Sequence, residues 1–220
     1  MGKFIVFAGA CDGTGKSTQA KLLFDALSKE GNVVTHHFPS YNTDEGKLAE
    51  NYLAGKYGTT YELSPYFIND IFAIDRAITW NTKLKELYEK GDTIIIDGYT
   101  TSSLMYQSAL IESEEKKKEF IDFVVDFEYN KIGVGKPDIV IFLYLDFDLA
   151  MELKAKREKE TNTTGDMHER DINYMRKVYD NGMKLAKYLN WTMIKCDENG
   201  QMRSIEDIHK DILNEIKKMD

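Results

Sequence analysis

The sequence predicts an α/β fold in which a five-stranded parallel sheet is flanked by helices. Short apolar runs alternate with longer segments of helical periodicity, which is the pattern of strand–helix–strand units. The run Ile94–Ile96 shows no polar alternation, as expected for a strand that is buried on both faces. The length of 220 residues suits one α/β domain with a small lid. We therefore expect a single domain over residues 1–220.

The predicted strands are five short apolar runs. They are Phe4–Ala8, Val33–Phe38, Thr93–Asp97, Ile139–Leu145 and Trp191–Cys196. In an open parallel sheet, ligands bind outside the carboxyl ends of the strands. We therefore expect the functional site among the residues that follow these runs.

The predicted helices lie between the strands and after the last one. They are Lys16–Lys29, Pro65–Lys90, Ser102–Ser113, Lys116–Lys131, Leu149–Glu160, Asp171–Tyr188 and Arg203–Lys218. In the second of these, Ile71, Ile74 and Ile78 recur at three- and four-residue spacing, so we expect one buried stripe. A polar stretch at 160–166 separates two charged helices and contains a glycine. It predicts a lid at about 158–170, with an ordinary surface loop as the alternative.

The composition argues against several classes of function. The net charge is −8, whereas nucleic-acid-binding surfaces carry a basic patch, so we expect no nucleic-acid partner. No apolar run approaches the roughly 20 residues of a membrane span, and the amino-terminal segment does not fit a signal peptide. Cys11 and Cys196 are far apart and form no metal-binding pattern, so we expect reduced thiols. These features predict a cytoplasmic protein that does not enter a membrane.

The segment Asp12–Thr18 is the strongest functional signal. It follows a predicted strand and begins a predicted helix, which is the context of a phosphate-binding loop. Glycines let backbone N–H groups surround a phosphate, and the helix amino terminus adds partial positive charge. Lys16 is placed to reach the β- and γ-phosphates of ATP, and Ser17 is placed to bind Mg²⁺. The residues assigned to ATP–Mg²⁺ binding are Asp12, Gly13, Thr14, Gly15, Lys16, Ser17 and Thr18.

The loop departs slightly from the usual pattern, which opens with glycine five residues before the Gly-Lys pair. That position is Ala10, and Gly9 precedes it. A glycine-rich turn without a nucleotide is the alternative interpretation, and Cys11 is interpreted as a small filler. Because a phosphate-binding loop alone predicts only nucleotide binding, the acceptor must be inferred from other segments.

Further motifs indicate the acceptor. They are Phe38-Pro39-Ser40-Tyr41, Gly46-Lys47-Leu48, Tyr52–Gly58, Ser64-Pro65-Tyr66, Phe72–Arg76, Ile95–Tyr99, and the set Ser102, Ser103, Tyr106 and Gln107. In this order and spacing, with the loop variant Asp-Gly-x-Gly-Lys-Ser-Thr-Gln, they resemble the thymidylate kinase family from Phe4 to about Ile216. The resemblance implies a P-loop nucleoside-monophosphate kinase fold with a short lid. It also implies phosphorylation of dTMP to dTDP with ATP and Mg²⁺, and a homodimer.

Two residues of the predicted second helix have acceptor-binding chemistry. Phe72 and Arg76 are four residues apart and share one helix face. An aromatic ring stacks on a pyrimidine, and a guanidinium binds a phosphate in bidentate fashion. The alternative is a core phenylalanine and a surface ion pair. The resemblance implies that Phe72 stacks on thymine, that Arg76 binds the acceptor phosphate, and that Phe38 and Tyr41 belong to the acceptor site.

The helix after the third strand carries a second acceptor-binding pair. Ser103 and Gln107 are four residues apart and have groups that hydrogen-bond a base edge, with a polar helix face as the alternative. The resemblance implies that both contact thymine. It also implies that the ring of Tyr106 crowds a ribose 2′-hydroxyl.

The remaining candidates are charged residues near the expected phosphates. Asp97 ends a buried strand, where a carboxylate holds or orients Mg²⁺. The resemblance implies that Asp12 faces the acceptor, with helix capping as the alternative. It places Glu169 as the lid glutamate near the metal, and it places Arg157 facing ATP, with Arg170 as a lid cation. A solvated charged face is the alternative for these lid residues. The catalytic set is therefore Lys16, Arg76, Asp97, Arg157 and Arg170.

The resemblance is incomplete at two arginines. Gly98 and Met167 stand where the family has arginines that neutralise phosphate charge. By analogy with arginine fingers, worth about 10³–10⁵ in rate, such a loss matters. Three outcomes are open: the remaining cations suffice, which we favour; another lysine takes over; or the enzyme is slow or uses another acceptor. A deoxynucleoside kinase and a non-catalytic nucleotide-binding module are the competing functions.

Overall fold

The computed structural model describes residues 2–11, 13–162 and 165–219. Five strands form one parallel sheet in the order β2-β3-β1-β4-β5. They are β1 Phe4–Gly9, β2 Val33–His37, β3 Thr93–Asp97, β4 Ile139–Tyr144 and β5 Thr192–Lys195. Every residue of β1 is buried, because this strand lies at the centre of the sheet with helices on both faces. The predicted fold class is confirmed.

Nine α-helices surround the sheet in the described part of the chain. They are α1 Lys16–Leu27, α2 Lys47–Leu53, α3 Pro65–Thr79, α4 Lys85–Lys90, α5 Thr100–Tyr106, α6 Glu114–Val125, α7 Phe147–Thr161, α8 Ile172–Tyr188 and α9 Ile205–Lys217. A π-helical turn, Trp80–Leu84, joins α3 to α4, and a second, Asp126–Lys131, follows α6. A 3₁₀ turn at Ser108–Leu110 follows α5, and a short hairpin pairs β6 Asp197–Glu198 with β7 Gln201–Met202.

The helix starts follow local sequence chemistry. The Ser64 hydroxyl accepts a hydrogen bond from the Tyr66 backbone N–H, and Pro65 occupies the first helical position of α3. Ser113 and Ser204 cap α6 and α9 in the same manner. These caps satisfy backbone donors that an α-helix leaves without an internal partner.

The expectation of one buried stripe on α3 was wrong. Ile71 is 5% exposed, but Ile74 and Ile78 are 44% and 43% exposed. The reason is that α3 turns a polar face inward. Asp75 and Arg76 are buried there together with Ile71, whereas Ile74 and Ile78 lie outside the buried face. Spacing alone could not reveal which face of this helix is buried.

The helix α2 and the β6–β7 hairpin were not predicted. Seven residues of helix and two-residue strands are too short to give a reliable periodic signal. The predicted helix Pro65–Lys90 exists, but the π-helical turn interrupts it and buries both Trp80 and Leu84. Trp80 stacks on Phe4 of β1 with ring centroids 5.0 Å apart. This contact fixes the segment against the sheet.

Candidate active site

The phosphate-binding loop lies where β1 turns into α1. Gly13 and Gly15 both have positive φ angles, 84° and 85°, and Thr14 is fully buried between them. A Cβ added at Gly9 would lie 2.7 Å from the Thr14 hydroxyl oxygen and 3.0 Å from a side-chain carbon of Lys16. The close approach therefore requires glycine at position 9, one residue before the usual place. Asp12, also assigned to this loop and to the acceptor, lies outside the described residues.

A serine–carboxylate pair stands beside the loop. The Ser17 hydroxyl donates a hydrogen bond of 2.6 Å to Asp97 Oδ2, while Asp97 Oδ1 is buried without a hydrogen-bond partner among the described residues. Burial opposes ionisation of Asp97, but the nearby His37 imidazole, the charge of Lys16 and the hydrogen bond from Ser17 outweigh it. The pKa of this carboxyl is therefore lowered. A serine hydroxyl and an ionised carboxylate with an open oxygen are the ligand types that Mg²⁺ takes, so this pair fits the metal.

The residues predicted to bind the acceptor lie mainly on α3 and α5. Arg76 is 2% exposed, and its Nε and Nη2 bind the Glu128 carboxylate at 2.7 and 2.6 Å. The same Nη2 donates to Ser103 Oγ at 2.8 Å. Glu128 is fully buried and also accepts a hydrogen bond from Thr100. The charge of Arg76 is thus balanced inside the protein, in a buried ion pair rather than the surface pair considered from sequence.

Other predicted acceptor residues lie around Arg76. Gln107 is 2% exposed, and its buried Oε1 has no hydrogen-bond partner in the part of the chain that the structure describes. The half-buried Phe72 ring meets Tyr52 edge to face at 5.8 Å. At the end of β2, Phe38 is buried and the exposed Tyr41 ring stacks on His37 at 6.0 Å.

In the segment predicted to be the lid, 158–170, Thr163 and Thr164 lie outside the described residues, and Met167 and His168 contact α2. The backbone N–H of Met167 donates to the carbonyl of Leu53 at 3.3 Å. His168 is 4% exposed and shares a hydrogen bond of 2.8 Å with the Tyr52 hydroxyl. Burial lowers the pKa of His168. This part of the segment is therefore joined to α2, a helix that the sequence did not predict.

The assigned lid residues differ in their surroundings. Lys154 of α7 is buried and donates to the Glu169 carbonyl at 2.6 Å, with its ammonium 3.7 Å from the Glu169 carboxylate. The carboxylate assigned to the metal is thus close to a lysine. Arg170 is exposed and donates to the backbone carbonyls of Gly165 and Asp166. Arg157 is exposed on α7.

One cleft brings most of the predicted site residues together. Those that line it are Lys16, Phe38, Tyr41, Phe72, Arg76, Asp97, Ser103, Tyr106, Gln107 and Glu169. Ser17 reaches the cleft through its bond to Asp97. Thr18 is exposed on the first turn of α1, and neither Thr18, Arg157 nor Arg170 is among the described residues that line the cleft.

Four residues that line this cleft or contact its lining side chains were not predicted. They are His37, Glu128, Lys154 and His168. His37 lies opposite Asp97 in the β2–β3 register, with its Nδ1 3.7 Å from Asp97 Oδ2. The position of His37 at a strand end was a usable signal. Glu128 gave no local signal, because its partner Arg76 is 52 residues away.

Gly98 occupies a backbone position that disfavours the missing arginine. Its φ is +75°, and a Cβ there would lie 2.9 Å from the carbonyl oxygen of Phe38. A side chain at this position meets both backbone strain and a close contact. The local backbone conformation therefore favours glycine at position 98.

The fold and the cleft define a class of protein. A phosphate-binding loop that begins a helix, a strand-end carboxylate beside it and an adjoining acceptor cleft are the parts of a P-loop nucleoside-monophosphate kinase. The thymidylate kinase family model matches residues 10–212. The chain belongs to the thymidylate kinase family, which confirms the resemblance inferred from the motifs.

Individual relatives agree with this assignment. A probable thymidylate kinase of Methanocaldococcus jannaschii is 32% identical over 97% of this chain and 95% of that protein. Thymidylate kinase of Homo sapiens is 30% identical over 96% of this chain and 88% of that protein. The structure of thymidylate kinase from Candida albicans, 24% identical, aligns with a TM-score of 0.74 over 99% of this chain and 92% of that chain. That alignment supports the fold.

Within the described ranges, no helix is both long and apolar enough to cross a lipid bilayer.

Proposed function

We propose that this protein transfers the γ-phosphoryl group of ATP to dTMP and forms dTDP and ADP. The observation that carries the proposal is the cleft itself. At one end are Lys16 and the Ser17–Asp97 pair, and at the other end are Ser103 and Gln107. A nucleotide fits this polarity, because its phosphate would face the loop while its base edge faces the hydrogen-bonding groups of α5.

At the phosphate end, the protein supplies position and charge. The backbone N–H groups of the loop and the Lys16 ammonium would hold the β- and γ-phosphates of ATP. An oxygen of the acceptor phosphate attacks the γ-phosphorus, the bond to the bridging oxygen breaks, and its electron pair leaves with ADP. Ser17 and Asp97 would hold Mg²⁺, which neutralises charge on the β- and γ-phosphates when it is bound.

At the base end, Arg76 takes a role different from the one that the resemblance implied. Because Glu128 balances its charge and Ser103 shares its Nη2, Arg76 lies with the base-binding groups. We assign it to the base edge, with Phe72 beside it as the stacking surface. Lys16 and His37 are then the cationic or protonatable groups at the phosphate end of the cleft.

The test is turnover of ATP–Mg²⁺ with dTMP, dUMP and thymidine as acceptors, followed as ADP release. The expected order places dTMP first and thymidine far behind. Lys16→Met should abolish turnover with an unchanged circular dichroism spectrum, because it removes the ammonium that binds the transferred group. Retained turnover in Lys16→Met, or a preference for thymidine, would contradict the proposal. The exposed Lys29, which follows the end of α1, provides the control Lys29→Met.

The lid, the assembly and the location are part of the same proposal. The segment 158–170 acts as the lid over the phosphates. A second copy of the chain covers the exposed apolar stripe formed by Phe67, Ile74 and Ile78 of α3, because exposed apolar surface of this kind marks an interaction site. The cytoplasm suits Cys11 and Cys196, two buried cysteines that are not joined in a disulfide.

A further inference from the structure

His168 is surrounded by aromatic rings from three helices. Its imidazole stacks on Tyr106 of α5 with ring centroids 5.6 Å apart and planes 29° apart. The rings of Tyr52 from α2 and Tyr174 from α8 meet it edge to face at 5.4 and 5.3 Å. At 4% exposure, this is a packed position rather than a solvated lid side chain.

The docking contacts of this part of the lid lead to the acceptor side of the cleft. Besides the rings, His168 shares its hydrogen bond with Tyr52, and the preceding backbone N–H binds the Leu53 carbonyl. Leu53, Tyr106 and His168 all line the cleft. The imidazole of His168 therefore lines the acceptor side of the cleft and also joins the lid to α2.

Tyr106 lines the cleft and joins the base-binding groups of α5 to His168. It follows Ser103 by three residues on α5 and precedes Gln107, so its backbone is placed with the base-binding groups. Its ring reaches towards the lid and stacks on His168, one residue before Glu169. A nucleotide with its base at Ser103 and its phosphate at Lys16 would have its sugar beside the Tyr106 ring.

We propose that His168 is a positioning residue, which holds the Tyr106 ring against the sugar of the acceptor and makes selection of a 2′-deoxy sugar depend on a docked lid. The inference deepens the proposed function and rests on it. Without the imidazole, the Tyr106 ring gains rotational freedom and leaves room for a 2′-hydroxyl. The lid would then contribute to the choice of acceptor as well as to covering the phosphates.

The experiment measures, by calorimetry, the dissociation constants of dTMP and of ribothymidine 5′-monophosphate, without any need for turnover. The selectivity is the dissociation constant of ribothymidine 5′-monophosphate divided by that of dTMP. His168→Ala should lower this ratio by about three- to tenfold, the contribution of one aromatic contact. His168→Phe, which keeps a ring against Tyr106, should retain most of the ratio. His168→Gln, which keeps a hydrogen-bonding group but has no ring, should behave like the alanine variant and serves if that variant fails to fold.

A double-mutant cycle tests whether His168 acts through Tyr106. In a Tyr106→Ala background, His168→Ala should not change the ratio further. His209→Ala, a partly buried histidine on α9 away from the cleft, is the matched control and should leave both constants unchanged. The proposal is overturned if His168→Ala and His168→Gln weaken both nucleotides equally, which is the mark of a purely structural contact. A wild-type protein that binds neither nucleotide would instead contradict the proposed function.

Discussion

At the scale of single residues, the buried ion pair Arg76–Glu128 is the electrostatic contact whose loss should cost the most stability among the described residues. The two side chains are 2% and 0% exposed, so neither charge is compensated by water. Removing one member of such a pair leaves the other buried and unpaired, which costs far more than the pair itself contributes. The site thus depends on Glu128, a residue that is far from the phosphate-binding loop in the sequence.

Glu128→Gln should therefore lower the free energy of unfolding by about 3 kcal/mol, because it leaves the guanidinium without a counter-charge. Urea unfolding followed by circular dichroism measures the change. The exposed pair Lys90–Glu86 gives the matched control, and Glu86→Gln should have no measurable effect. Equal losses in the two variants would contradict the assigned importance of burial.

Gly98 makes a second residue-scale prediction. Gly98→Ala should cost about 1–3 kcal/mol, because its φ is positive and its Cβ would meet the Phe38 carbonyl. Gly55→Ala, with φ +77° and open space around its Cβ, should cost less, and Gly31→Ala should cost nothing. Thermal unfolding of the three variants gives the order. A Gly98→Ala protein as stable as Gly31→Ala would show that the position tolerates a side chain.

At the scale of elements, the end of β2 and the turn after it make the stability of the protein depend on pH. His36 shares a hydrogen bond of 2.8 Å with Ser40, and the Ser40 backbone N–H donates to the buried Asp75 carboxylate. Burial lowers the pKa of His36. Nearby Lys83 and His37 act in the same direction, while Asp75 and Glu45 oppose them. The folded protein therefore favours the neutral imidazole at this position.

The sign of the pH dependence follows from this lowered pKa. As the pH falls below about 6.5, the unfolded chain takes up a proton at His36 before the folded protein does. Stability from this group is complete above that pH and declines towards the lower, folded-state pKa. Urea midpoints between pH 8 and pH 5 should show the decline, and His36→Gln should make it shallower. An unchanged slope in His36→Gln would exclude His36 as a source.

At the scale of the whole molecule, the sheet and the phosphate-binding loop could be predicted from local sequence. Strand positions agreed within one residue at most ends, because buried parallel strands give uninterrupted apolar runs. The partner of Arg76, the docking site of the lid and the buried face of α3 could not be predicted. Each depends on contacts between distant segments, such as Arg76 with Glu128 or His168 with Tyr52.

The exposed stripe on α3 gives the prediction for assembly. Ile74→Glu should convert a dimer to monomers, because a carboxylate would be buried at the centre of the apolar contact. Light scattering after size exclusion measures the mass. Tyr188→Glu, a change at an exposed aromatic on α8, is the control and should leave the mass unchanged. A wild-type protein that is monomeric at high concentration would contradict the proposed dimer.

The central claim is tested most directly by identifying the product. Phosphorus NMR of the wild-type protein with ATP, Mg²⁺ and dTMP should show equimolar dTDP and ADP, with the γ-phosphoryl of ATP recovered as the β-phosphate of dTDP. ADP formed at the same rate without dTMP, or no dTDP at all, would contradict the account.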